Sequence, residues 1–126
     1  MLLDTNIIID LFKGDRKLSD FLNEQPVIYT PSIVVGELYV GAYRTLDHAK
    51  HIKKINDFMA RCTILSADYE TADHYGYLKA DLMKKGKPIP ENDMWIAAIA
   101  KQYELKTLTK DQHFQLIPGI SVIFWQ

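Results

Sequence analysis

The sequence predicts an α/β fold in which a mostly parallel sheet of four to five strands lies between helices on both faces. Short runs of apolar or β-branched residues recur along the chain, and longer segments with helical periodicity separate them. Strands that alternate with helices form parallel sheets covered on both faces. Gly and Pro fall between the segments, at residues 13–15, 30–32, 85–88 and 118–119, which supports these boundaries.

The individual elements follow from these patterns in chain order. The strand candidates are the apolar, β-branched or aromatic runs at residues 1–3, 27–30, 63–65, 107–109 and 121–124. The helix candidates are the longer segments at residues 6–13, 16–23, 32–44, 47–61, 67–85 and 91–103. Because ligands of such sheets bind at the carboxyl ends of the strands, acids at those ends carry the most information about function.

Length and composition indicate one domain over residues 1–126, since the chain can enclose one hydrophobic core but not two. The 15 basic and 16 acidic residues leave a net charge of -1, so any nucleic-acid binding must use local patches. Cys62 is the only cysteine, which excludes an intramolecular disulfide and a multi-cysteine metal site. Asp4 and Asp10 interrupt the apolar start that a signal peptide requires. We therefore expect a cytoplasmic protein.

Four acids occupy unusual positions in this arrangement. Asp4 ends the first strand candidate and Asp111 follows the fourth. Glu37 shares a helix face with apolar and small residues rather than with other charges. Asp93 begins the apolar stripe of the last helix candidate, which should pack on the sheet. All four side chains are thus predicted to lie at strand ends or on inward helix faces.

Each acid also has a simple structural explanation. Asp4 or Asn6 could cap the first helix, and Asp93 could interact with the dipole of its own helix. Glu37 could pair with a buried arginine, and Asp111 could be a turn residue. Together the four explanations are less plausible than one shared site. Converging carboxylates need a cation among them, and oxygen ligands favour Mg²⁺ or Mn²⁺ over Zn²⁺. Such a metal supports hydrolysis of phosphate esters.

Four segments in this order resemble the PIN-domain ribonucleases, and most closely the VapC-type toxins of toxin-antitoxin pairs. They are LLDTNIIID, GELYVGA, NDMWIAAIA and the terminal TLTKDQHFQLIPGISVIFW. The resemblance implies a PIN-like three-layer α/β/α fold and an acidic quartet of Asp4, Glu37, Asp93 and Asp111 as catalytic and metal-binding residues.

The resemblance also implies an activity and partners. The activity is hydrolysis of RNA by a water activated by Mg²⁺ (or Mn²⁺), which leaves 5'-phosphate and 3'-hydroxyl ends and inhibits translation. Asn6 and Thr109 would be supporting residues that orient metal, water or phosphate. The implied partners are a cognate VapB-like antitoxin, a second copy in a homodimer, and an RNA substrate such as tRNA or rRNA. DNA would be bound only through the antitoxin.

Other residues allow alternatives. Lysines and arginines near the acids could contact the RNA backbone or be solvated surface residues. His48 and His51 could support metal-free RNA hydrolysis, but they lie in a polar segment that is typical of a solvated helix face. His113 precedes Phe114 at the edge of the site and is predicted to be structural. The rival function is a non-enzymatic interaction module whose acidic pocket binds a basic partner segment.

Overall fold

The centre of the fold is a five-stranded parallel sheet. The structure, a computed structural model, describes all residues from 1 to 126. The strands are β1 (Leu2–Leu3), β2 (Tyr29–Pro31), β3 (Thr63–Leu65), β4 (Thr107–Thr109) and β5 (Val122–Phe124). Their spatial order is β3-β2-β1-β4-β5, and every neighbouring pair is parallel. The predicted α/β/α fold with a parallel sheet is confirmed.

Six α-helices and one 3₁₀ helix connect the strands. They are α1 (Thr5–Phe12), α2 (Arg16–Asn23), α3 (Ser32–Tyr43), α4 (His48–Met59), α5 (Tyr69–Lys84), α6 (Glu91–Tyr103) and the 3₁₀ helix Gln112–Leu116. The predicted ends of α2 and α6 and the predicted start of α3 are confirmed, and the other helix ends differ by one or two residues. Pro31, predicted to be a turn residue, is the last residue of β2, where the chain passes directly into α3.

The core forms where the central strands meet the helices. Leu2, Leu3 and Leu108 are fully buried, as expected for strands covered on both faces. Helix α6 buries every residue from Met94 to Ala100 except Trp95. The largest fully buried side chain is Phe114, from the 3₁₀ helix that follows β4.

The sheet order places the first strand beside the fourth. Leu2 pairs with Thr107, and Leu3 pairs with Leu108. Because the strands are parallel, the residues that follow β1 and β4 leave the sheet at the same edge. This edge receives Asp4 from β1 and Asp111 from the segment after β4. None of the helices has the combination of length and hydropathy that crossing a bilayer requires.

Candidate active site

Asp4 is the most deeply buried acid of this edge, with 4% of its surface exposed. It follows β1 and caps α1, and its Oδ1 accepts a hydrogen bond from the backbone N–H of Thr5 at 2.8 Å. Its Oδ2 accepts hydrogen bonds from the Thr109 hydroxyl at 2.6 Å and from Asn6 Nδ2 at 3.2 Å. Both oxygens are thus held by donors, which compensates in part for burying a carboxylate.

Asn6 and Thr109, the two predicted supporting residues, join the loops after β1 and β4. The Thr109 hydroxyl accepts from the backbone N–H of Asp111 at 2.9 Å, and Asn6 Oδ1 accepts from the backbone N–H of Lys110 at 3.0 Å. Asn6 Nδ2 also lies 3.4 Å from the Thr109 hydroxyl. The two side chains therefore fix the position of Asp4 relative to the segment that carries Asp111.

Glu37 reaches the same region from helix α3. The Thr5 hydroxyl donates to Glu37 Oε1 at 2.9 Å, while the backbone N–H of Thr5 holds Asp4. The sequence left open a pairing of Glu37 with a buried arginine, but its partner in the structure is this neutral hydroxyl. Glu37 is half-buried, and no cationic side chain pairs with it.

Asp93 and Asp111 meet on the other side of the site. Asp93 lies in the first turn of α6, and 13% of its side chain is exposed. Asp111 caps the 3₁₀ helix, where its side chain accepts a hydrogen bond from the backbone N–H of His113 at 2.9 Å. One carboxylate oxygen of each acid and one ring nitrogen of His113 lie within 4.8 Å of one another.

The pKa values of two of the acids show that the four carboxylates affect one another. Burial raises the pKa of Asp93, the charges of Asp4, Asp111 and Glu37 add to the rise, and together these effects bring it to about 7. Burial also raises the pKa of Asp4, which the hydrogen bonds from Thr109 and Thr5 partly offset. Glu37 and Asp111 add to the rise at Asp4. The structure thus brings all four predicted acids into one electrostatic cluster.

Lysine and arginine side chains do not neutralise this cluster. No ion pair joins a lysine or arginine to any of the four acids. Lys110 is close along the chain, but its Nζ pairs with Asp10 Oδ2 at 2.7 Å. The donor set is therefore made of oxygens and one imidazole around uncompensated charge, which fits a divalent cation such as Mg²⁺ or Mn²⁺.

The basic side chains near the acids in sequence are mainly on the surface. Lys85 pairs with Asp81 at 2.8 Å, so part of its charge is used within the fold. Lys85 and Lys110 are exposed as well, and the exposed members without an ion pair in the fold are Lys13, Arg16, Lys17, Arg44, Lys84 and Lys87. These side chains are accessible to an RNA backbone, and their contact with phosphates stays a prediction.

The histidines considered in the sequence lie in two different environments. His48 and His51 are exposed on α4, as predicted for a solvated helix face. His113, predicted to lie at the edge of the site, has its ring beside Asp111 and Asp93 with half of its side chain exposed, and its structural role stays a prediction. Sequence reasoning placed His113 at the edge of the site but did not predict that its ring contacts the acids, although its position two residues after Asp111 was a signal of this.

The chain belongs to the PIN domain family, whose model matches residues 1–120. It is 42% identical to Ribonuclease VapC2 of Haemophilus influenzae, over 98% of this chain and 96% of that protein. It is 33% identical to the tRNA(fMet)-specific endonuclease VapC of Salmonella typhimurium, with the same two coverages. The resemblance to VapC-type proteins that the four sequence segments indicated is confirmed.

Solved structures show the same fold. VapBC2 from Rickettsia felis bound to a DNA fragment from its promoter superposes with a TM-score of 0.93 at 26% identity, covering 99% of this chain and 98% of that one. DNA-bound VapBC from Salmonella typhimurium gives a TM-score of 0.91 at 30% identity, covering 99% and 97%. Both of these structures are named as VapBC complexes.

Proposed function

We propose that the chain is a metal-dependent endoribonuclease that acts as the toxin of a toxin-antitoxin pair, with residues 1–126 forming one nuclease domain. The observation that carries this proposal is the burial of Asp4 among three further acids with no lysine or arginine to neutralise them. A fold does not maintain such repulsion for stability alone, because one buried carboxylate already costs free energy. The ribonuclease names of its relatives support the same activity.

The four acids would hold the cation, and neighbouring side chains would hold the acids. A bound Mg²⁺ or Mn²⁺ would polarise a phosphoryl oxygen of RNA and lower the pKa of an attacking water. Thr109 and Asn6 fix the orientation of Asp4, and Thr5 fixes that of Glu37. Water adds to phosphorus and the 3' oxygen leaves with a proton, so the products carry 5'-phosphate and 3'-hydroxyl ends.

The proposed partners follow from the same site. A VapB-like antitoxin would inhibit the enzyme by placing a basic group among the acids, where a guanidinium can replace the charge of the metal. The solved VapBC complexes support such a partner. We also propose that the chain forms a homodimer, that its substrate is a tRNA or rRNA whose cleavage inhibits translation, and that it contacts DNA only through the antitoxin.

Cleavage of total cellular RNA tests the activity. The purified chain is incubated with Mg²⁺, with Mn²⁺ or with EDTA, and the ends of the fragments are sequenced. Asp4→Asn is the diagnostic variant, because asparagine also caps helices well and should leave α1 intact. Asp57→Asn is the matched control, since Asp57 is an exposed acid of α4 that pairs with Lys53.

We expect discrete fragments with 5'-phosphates that require metal, persist with Asp57→Asn and fall at least about a hundredfold with Asp4→Asn. Cleavage that survives both EDTA and Asp4→Asn would contradict the proposal. Absence of cleavage together with absence of Mg²⁺ and Mn²⁺ binding in calorimetry would favour the interaction module. Expression of the wild-type chain should arrest growth, and co-expression of a VapB-like antitoxin should relieve the arrest.

A further inference from the structure

His113 is placed beside the acids by local backbone structure. Asp111 caps the 3₁₀ helix, and this cap turns His113 back towards the cluster. The ring nitrogen Nδ1 lies 3.0 Å from Asp111 Oδ1 and 3.9 Å from Asp93 Oδ2. Because 52% of the side chain is exposed, packing in the core does not explain the position of this ring.

The spacing of these three atoms suits the ligands of one ion. In an octahedral site with bonds of about 2.1–2.2 Å, adjacent ligands lie about 3 Å apart and opposite ligands about 4.4 Å apart. The 3.0 Å distance from Nδ1 to Asp111 Oδ1 matches adjacent ligands, the 3.9 Å distance to Asp93 Oδ2 lies between the two spacings, and all three atoms lie within 4.8 Å of one another. The contact with Asp111 is also short enough for a hydrogen bond, so the alternative is that His113 only orients Asp111.

We infer that His113 is a ligand of the divalent cation, and that its imidazole nitrogen makes the site bind Mn²⁺ more tightly than Mg²⁺. This inference rests on the proposed function, since the acids must hold a cation for His113 to join them. Imidazole favours transition-metal ions, whereas carboxylate and water oxygens serve Mg²⁺ and Mn²⁺ alike. A single nitrogen among oxygens therefore shifts the preference towards Mn²⁺ without creating a closed zinc site.

The first test is pulsed electron paramagnetic resonance of Mn²⁺ bound to the full chain, which detects a directly coordinated nitrogen by its electron spin echo modulation. We expect nitrogen modulation in the wild type and its loss in His113→Gln. His74→Gln is the matched control, because the His74 ring lies beside Glu70, an acid outside the quartet. This control should keep the modulation.

Calorimetry supplies the second measurement. His113→Gln should weaken Mn²⁺ binding at least about tenfold and Mg²⁺ binding less than about threefold, because only Mn²⁺ gains from the nitrogen. Mn²⁺ bound by the wild type without nitrogen modulation would overturn the inference while leaving the proposed function in place. Failure of the wild type to bind either ion would overturn the inference and the proposed metal dependence together.

Discussion

Asp4 combines two interactions that the sequence presents as alternatives. One carboxylate oxygen caps α1 through Thr5, and the other accepts the Thr109 hydroxyl inside the site. A carboxylate can do both because its two oxygens point in different directions. An acid at a helix N-terminus is therefore not excluded from a site by its capping role.

The Thr109 hydroxyl should be important for stability because it donates to a buried charge. We expect Thr109→Val to lower the free energy of unfolding by about 2 kcal/mol at pH 7, measured by urea denaturation. Thr107→Val is the matched control on the same strand, since the Thr107 hydroxyl is buried without a partner and its loss should cost nothing. Equal destabilisation by the two substitutions would contradict this account.

Asp93 should make the metal-free protein less stable as the pH rises. Its pKa is about 7 in the folded chain, against 3.8 ordinarily, so the folded state binds more protons between these values. The free energy of unfolding contributed by this group therefore falls as pH rises from about 4 to about 7. Asp93→Asn, which stays neutral, should stabilise the chain by about 2 kcal/mol at pH 8 and by little at pH 4.

Urea denaturation in EDTA at the two pH values measures this difference. Asp57→Asn serves as the control and should show no comparable gain at pH 8, because Asp57 is an exposed acid paired with Lys53. A gain for Asp93→Asn that is the same at pH 4 and pH 8 would show that the cost of ionising Asp93, through burial and through repulsion by the other acids, is not its cause.

At the scale of the element, helix α6 positions Asp93 through its small residues. The sequence predicted an apolar stripe headed by Asp93, and the structure buries an almost continuous run behind it. Ala97 and Ala100 are nearly or fully inaccessible, so the space around this helix is already filled. The close packing of α6 sets how far its first turn, with Asp93, extends into the site.

Enlarging Ala97 should therefore disturb both the core and the site. We expect Ala97→Leu to lower the free energy of unfolding by about 2 kcal/mol and to weaken Mn²⁺ binding, because the added carbons displace α6. Ala80→Leu, at an exposed position of α5, is the matched control and should change stability by less than about 0.5 kcal/mol. If Ala97→Leu left the free energy of unfolding unchanged, α6 would have to pack loosely.

At the scale of the whole molecule, the net charge is close to zero although four acids are concentrated at one site. The net charge of -1 excludes a global field, yet four carboxylates meet at one edge of the sheet. Their repulsion is a free-energy cost that a bound cation removes. Metal binding and fold stability are therefore expected to be linked.

Divalent metal should raise the melting temperature of the chain. At a free concentration one hundred times the Kd, binding adds about 2.7 kcal/mol, which corresponds to a rise of roughly 10 °C for a chain of this size. Differential scanning calorimetry with Mn²⁺ and after EDTA should show this rise and its reversal. Asp4→Asn should reduce the rise, and an unchanged rise would place the metal elsewhere.

The sequence by itself determined the α/β class, the approximate element boundaries and the four acids. These features depend on local patterns: apolar runs, helical periodicity, turn residues, and charges where a buried or apolar residue is expected. The family resemblance added Asn6 and Thr109, whose side chains the structure places against Asp4. The catalytic and metal-binding roles of the four acids and the supporting roles of Asn6 and Thr109 stay predictions.

Only the tertiary structure decided how these residues meet. Asp4 and Thr109 are 105 positions apart, and they touch because β1 and β4 are neighbours in the sheet. The hydroxyl partner of Glu37 and the turn of His113 towards Asp93 likewise depend on packing between elements. Local periodicity shows which face a residue occupies, whereas long-range contacts and side-chain orientation are set by strand order and by the space that neighbouring elements leave.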